Sequence, residues 1–139
     1  MKTPDKTTWT HLKVDLGRWP LVLLTYSGLP SDPELEGHLL EIETRVLARR
    51  QPFVHLIDQS LGEMPTPTQR ALIAQHQARC IEEYRRYCLG EAYLVPPQMR
   101  GAMTAVFWRV PPPYPYAFLQ TRAEALRWCE ERMASKKGE

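Results

Sequence analysis

The sequence predicts a single α/β domain built on a mostly parallel sheet, and three observations predict it. Short apolar runs alternate with segments of helical periodicity along nearly the whole chain. Two of those runs, Leu21 to Tyr26 and Phe53 to Ile57, are continuously apolar, as strands covered on both faces tend to be. Helix-start signatures stand at Ser31, Thr66 and Thr121, each followed three residues later by a Glu or Gln that can cap in return.

Taken in order, residues 1–8 are polar and read as a flexible terminus. Trp9 to Leu16 alternates enough for a strand with one wet face, Gly17 to Pro20 interrupt it, and LVLLTY follows. The pair predicts an antiparallel hairpin. After a turn at Ser27 to Pro30, Leu35, Leu39, Ile42 and Val46 form the apolar stripe of a first helix, with Arg45, Arg49 and Arg50 at its negative end. Pro52 stops that helix, and Phe53 to Ile57 is the central strand. Thr66, Pro67 and Gln69 open a second helix that runs to about Cys88, where Leu89 and Gly90 close it. Ala92 to Val95 is the next strand, and Pro96 and Pro97 launch a helix from Gln98 to about Trp108. Pro111, Pro112, Pro113 and Pro115 form a stiff extended connection, since none can donate to a sheet ladder. Tyr116 to Gln120 is the last strand, and a final helix carries Leu126, Trp128, Cys129 and Met133. The expected order is β-β-α-β-α-β-α-β-α, five strands and four helices, in one domain over residues 9–133 with a charged tail at 134–139.

Composition sets the outer limits. A chain of 139 residues, 43% hydrophobic, suits one domain that buries roughly two-thirds of its unfolded surface. Its 18 basic and 16 acidic residues leave a net charge of +2, and its pI of about 8.5 is lower than a dedicated nucleic-acid binder with a clustered basic face would show. Three cysteines without paired spacing suit a reducing cytoplasm better than a disulfide framework. No signal-peptide h-region opens the chain, and no apolar run approaches the ~20 residues of a membrane-spanning helix.

The opening hairpin with LVLLTYSG, the strand ending Ile57-Asp58-Gln59-Ser60 and the terminal TRAEAL helix start resemble the STAS domain. That is the fold of bacterial anti-sigma-factor antagonists, and the likeness is strongest to the STAS-like group related to CRAL-TRIO lipid-binding domains. It covers Trp9 to about Met133 and rests on element order more than on a motif. It implies a cytoplasmic, non-enzymatic regulatory domain that binds protein partners through the loop and helix after the central strand. In some members a Ser or Thr at the start of that helix is phosphorylated, which by position falls near Thr68, with Thr66 beside it. Where the family's strong form has an Asp-Ser-Ser-Gly-Leu-like stretch, this chain has MPTPTQR, with neither serine nor glycine. Thr66 also reads simply as a helix cap worth about 1 kcal/mol. A phosphate there would be favoured by the helix dipole and its unpaired N–H groups.

Asp58, Ser60, Thr66, Thr68 and Arg70 are therefore the candidates for an interaction or switch surface. The alternative is a small-molecule or lipid-binding module, with Met99, Met103, Phe107 and Trp108 lining a pocket between the sheet and the 98–108 helix. Seven aromatics, Tyr93, Phe107, Trp108, Tyr114, Tyr116, Phe118 and Trp128, favour that half of the chain for an apolar cavity. The WRVPPPYPY segment reads as a bridge from helix to edge strand or as the rim of a groove. Asp58 as a phosphoacceptor would need an acidic pair and a strand-end lysine that are missing, so it reads as a loop cap. His76 and Cys80, four apart on one helix, are two potential ligands and not a site, so no metal is expected. Arg79, Arg85 and Arg86, offset by Glu82 and Glu83, read as a solvated face. No nucleophile–base pair or paired carboxylates can be assembled, so no catalysis and no cofactor are expected. An edge at the first strand makes homodimerisation plausible.

Overall fold

Alternation along the strands decides which side of the sheet each helix covers. The computed structural model describes the backbone of residues 6–109 and 111–137, and side chains over 9–105 and 111–135. Six strands, β1 (Lys6–Thr8), β2 (Leu12–Arg18), β3 (Leu21–Gly28), β4 (Phe53–Gly62), β5 (Cys88–Leu94) and β6 (Tyr116–Leu119), lie in sequence order across one sheet. β1, β2 and β3 pair antiparallel, and β3 through β6 pair parallel. The helices are α1 (Asp32–Arg45), α2 (Pro67–Arg79), α3 (Ile81–Tyr87), α4 (Pro97–Arg109) and α5 (Arg122–Lys137), with a short 3₁₀ turn at Leu47–Arg49.

Val22 and Leu24 of β3 and Phe53 and Ile57 of β4 join Ile42 of α1, Tyr84 of α3 and Met99 of α4 in one buried cluster. Their neighbours Leu21, Leu23, Val54 and Leu56 point the other way and pack on Ala125 and Cys129 of α5. Burial on both faces is why β3 and β4 read as unbroken apolar runs.

The expected hairpin, central strand and last strand are present, and the α/β order holds. Three details differ. Lys6–Thr8, within the segment expected to be flexible, adds a strand with Lys6 opposite Asp15 and so becomes the edge in place of β2. The central strand runs five residues beyond Ile57, because Ser27 and Gly28 of β3 continue the pairing as far as Leu61 and Gly62. The long helix expected up to Cys88 breaks at Cys80, where φ −109° and ψ 17° leave the helical range, and Cys88 already belongs to β5.

Gly90 is thus a strand residue and not a helix cap. Its backbone lies where a Cβ would sit 2.7 Å from the Trp128 ring and 3.1 Å from the Pro115 carbonyl. Glycine here lets α5 dock on β5. Gly90→Ala is expected to destabilise the fold by about 1–3 kcal/mol in urea denaturation, the usual cost of forcing atoms into a packed site. Gly28 has the other glycine-dependent geometry, a left-handed φ of 64° where the chain leaves β3 for α1.

All three expected caps form, the last with Thr121 Oγ1 accepting from the Glu124 N–H and Glu124 accepting from the Thr121 N–H, both at 3.1 Å. Ser31 accepts from the Glu34 N–H at 3.2 Å, and Thr66 and Gln69 close a complete capping box. Gln69 also donates to the Pro30 carbonyl at 2.7 Å, which ties the start of α2 to the turn before α1.

Candidate functional site

Between the sheet and the helices on the α1–α4 face lies a cavity of about 280 Å³. Its floor is the face of β4 that carries His55, Ile57 and Gln59, flanked by Tyr26 of β3 and by Glu91 and Tyr93 of β5. Period-two alternation puts His55, Ile57 and Gln59 on one side of the strand, and parallel register sets His55 directly opposite Glu91. Leu39 and Ile42 of α1, Ile73 of α2 and Met103 of α4 supply apolar wall. Arg70 and Ala74 line the cavity and also meet solvent, so its open side lies along α2.

The floor is more polar than the apolar runs suggest. His55 Nδ1 lies 2.8 Å from one oxygen of Glu91, and the other oxygen accepts from Tyr114 Oη at 2.6 Å and from Tyr93 Oη. His55 is 1% exposed and Glu91 3%. Burial alone would push the Glu91 carboxyl up. The hydrogen bond and charge of His55, then the Tyr114 and Tyr93 hydroxyls, outweigh it and hold the carboxyl below its ordinary value. The same burial and the adjacent carboxylate push the Tyr93 and Tyr114 hydroxyls up, so both stay protonated as donors.

Of two more buried histidines, His76 lines the cavity and His38 stands behind its Tyr26 wall. His76 places Nε2 2.7 Å from Tyr84 Oη and Nδ1 2.9 Å from Glu43, which also accepts from Arg79 at 2.7 Å. Burial lowers the His76 pKa despite the Glu43 carboxylate. His38 of α1 pairs with Tyr26 Oη at 3.0 Å, and burial drives its pKa down to about 4. Two buried polar atoms on the floor, His55 Nε2 and Gln59 Oε1, have no hydrogen-bond partner among the described residues.

The residues singled out in the sequence fall in three places. Asp58, within β4, accepts from the Ser60 N–H at 3.0 Å and Ser60 Oγ at 2.6 Å, and reaches Arg122 at 3.5 Å. Thr66 is the α2 cap, while Ser60 and Thr68 are exposed. Arg70 donates to the Pro65 carbonyl at 2.7 Å and alone of that group also lines the cavity. Of the pocket candidates, Met103 lines the cavity and Met99 is buried in the adjacent core. The side chains of Phe107 and Trp108 lie outside the described residues. The pocket was expected between the sheet and the 98–108 helix; the cavity takes Met103 from that helix and also Arg70, Ile73, Ala74 and Gln77 from α2.

His76 and Cys80 do gain a third neighbour, Glu43, with ligand atoms within 4.8 Å of one another. These groups satisfy each other: both His76 nitrogens are bonded, Glu43 is held by Arg79, and burial raises the Cys80 thiol away from the thiolate a metal would need. The His55–Glu91 pair was missed in the sequence. Its only signals were a histidine inside FVHLI and a glutamate inside LGEAYL, each a polar residue in an otherwise apolar strand.

No protein-family model and no curated protein matches this chain. Solved structures do. An uncharacterized protein of the DUF3478 family with a SpoIIAA-like fold, from Shewanella loihica PV-4, is 15% identical with a TM-score of 0.57, over 93% of this chain and 98% of its own. An anti-sigma factor antagonist from Mycobacterium paratuberculosis is 20% identical with a TM-score of 0.52, over 94% of this chain and 99% of its own. The fold is STAS-like, of the SpoIIAA type. This bears out the resemblance carried by the hairpin, the central strand and the last helix. Among the described residues no helix is long and apolar enough to cross a membrane.

Proposed function

We propose that this STAS-like domain binds a small molecule in the cavity over β4, without chemistry on it. The observation that carries the reading is the cavity itself. It is at the small end of the ligand-pocket range, mostly apolar, open on one side, and floored by a few fixed polar groups, as binding pockets are. Its described lining contains no serine, threonine, cysteine or lysine, so His55 and Glu91 have no such nucleophile to activate. The experiment is a fragment titration followed by amide NMR. Bound fragments are expected to shift the resonances of Tyr26, Ile57, Gln59 and Met103 together. Shifts confined to the Ser60–Thr68 loop, or none at millimolar fragment, would contradict the reading.

A second reading, regulatory binding of a protein partner through the Ser60–Thr68 loop, draws support from Leu61. That side chain is 76% exposed at the end of β4, between exposed Ser60 and the start of α2. The fold likeness to an anti-sigma factor antagonist points the same way. In this reading Thr68 is the better modification candidate, because the Thr66 hydroxyl is already engaged in its capping box. The two readings meet in α2, which carries the loop's end and one wall of the cavity.

A further inference from the structure

The cavity sets an apolar interior against one charged group at its opening. Leu24, Leu39, Ile42 and Ile57 are buried lining residues, and half-buried Ile73 and Met103 extend the same apolar wall. The polar side chains among them are already matched. Tyr26 pairs with His38 at 3.0 Å, His76 with Glu43 at 2.9 Å and Tyr84 at 2.7 Å, and Glu91 with His55, Tyr93 and Tyr114. His55 Nε2 and Gln59 Oε1 have no partner, but both are buried beyond the reach of a guest. The interior therefore rewards an apolar body, in rough proportion to the area that body removes from water.

Charge places the other end of the guest. Among the described lining residues Glu91 is the only acid and Arg70 the only arginine or lysine. The Glu91 carboxylate, buried on the floor, would repel an anion there, and an anion deep in the cavity would also lose its water. Arg70 stands instead on the open side along α2, exposed to solvent, with half-buried Met64 and Pro65 also lining the cavity. Its Nη1 donates to the Pro65 carbonyl at 2.7 Å, which uses one of five N–H donors and holds the guanidinium at the rim. No carboxylate of the described residues pairs with it. Its remaining donors match the two oxygens of a carboxylate.

We propose that the cavity takes an amphiphile with an apolar tail and a carboxylate head, the tail over β4 and the head on Arg70 at the opening. The volume of about 280 Å³ holds roughly nine water-sized groups, about the bulk of an eight-carbon chain. This rests on the pocket reading above and adds the chemical class and the orientation of the ligand.

The test titrates octanoate, 1-octanol and octylammonium into the wild-type chain by calorimetry at low salt. Octanoate is expected to bind about fivefold tighter than 1-octanol, the upper range for one exposed ion pair, with the gap closing as salt is raised. Octylammonium should bind most weakly. Arg70→Gln should bring octanoate down to the octanol level and leave octanol as it was. Because Arg70 is exposed, that variant keeps the core, and an unchanged urea midpoint checks this. Hexanoate should bind the wild type about sixteenfold more weakly than octanoate, about fourfold for each buried methylene lost. Equal binding of octanoate and octanol, or octanoate binding untouched by Arg70→Gln, would overturn the anionic head and leave the pocket standing. Hexanoate as tight as octanoate would overturn the buried tail. No binding by any of these chains would sink the ligand class and the pocket reading together.

Discussion

Glu91→Ala is expected to destabilise the domain by about 3–5 kcal/mol, because it strips the shared acceptor from three buried donors, each costing about 1–3 kcal/mol when left unpaired. The substitution leaves His55 Nδ1 and the Tyr93 and Tyr114 hydroxyls without the acceptor they share, in a site that is 3% exposed at Glu91. It also removes the side-chain tie of Tyr114 to β5, leaving the Glu91 N–H to Pro115 carbonyl bond at 3.0 Å in place. Glu91→Gln keeps one carbonyl acceptor and should cost less, about 1–3 kcal/mol. Urea denaturation of the three proteins checks both values. A loss below about 1 kcal/mol for the alanine variant, the level of an exposed ion pair, would show that the network does not hold the floor of the cavity together.

The second large effect is a loss of stability in acid. His38 is neutral in the fold with a pKa near 4, against about 6.5 when unfolded. Between those values the unfolded chain binds more protons, so stability is complete above the unfolded value and falls as pH drops toward the folded one. The difference amounts to about 3 kcal/mol for this side chain alone. His76, lowered by burial, acts in the same direction. Glu91, held below the ordinary carboxyl range, adds its loss at still lower pH. The charges of Glu41 and Glu34 raise the His38 pKa and those of His55 and His76 lower it, and burial, the largest effect, sets the downward direction. His38→Gln should flatten the decline in urea midpoint between neutral pH and pH about 4. An equally steep decline in the variant would place the acid sensitivity elsewhere.

The fold was legible because its signals are local and redundant. Thr66, Pro67 and Gln69 specify a helix start through three separate effects, and the structure closes the full capping box. LVLLTY and FVHLI are apolar on both faces because α1–α4 cover one side and α5 the other. The misread boundaries share a cause. Continuing β4 to Gly62 depends on pairing with Ser27 and Gly28, and the break at Cys80 depends on α3 turning to feed β5, neither of which periodicity can express. Gly90 looked like a cap because the ring that demands a glycine there, Trp128, lies far along the chain.

The cavity was legible only at its edge. Met103 was visible as part of an apolar helix, but the floor is assembled by register. His55 and Glu91 are 36 residues apart and become partners only because β4 and β5 run parallel with that pairing. Tyr114 joins them from the proline-rich segment, which reads as a connector in sequence and brings a buried hydroxyl to the carboxylate in the fold. Asp58 and Ser60 near the end of β4 and Thr68 in the first turn of α2, prominent in the resemblance, do not line the cavity.

The most direct test of the ligand-binding account is native mass spectrometry of the protein purified gently from its own host, beside a Met103→Trp variant that fills the cavity. The account predicts a small-molecule adduct at one per chain on the wild type, absent from the variant. A wild-type chain that carries no adduct, or an adduct equally present on Met103→Trp, would contradict it.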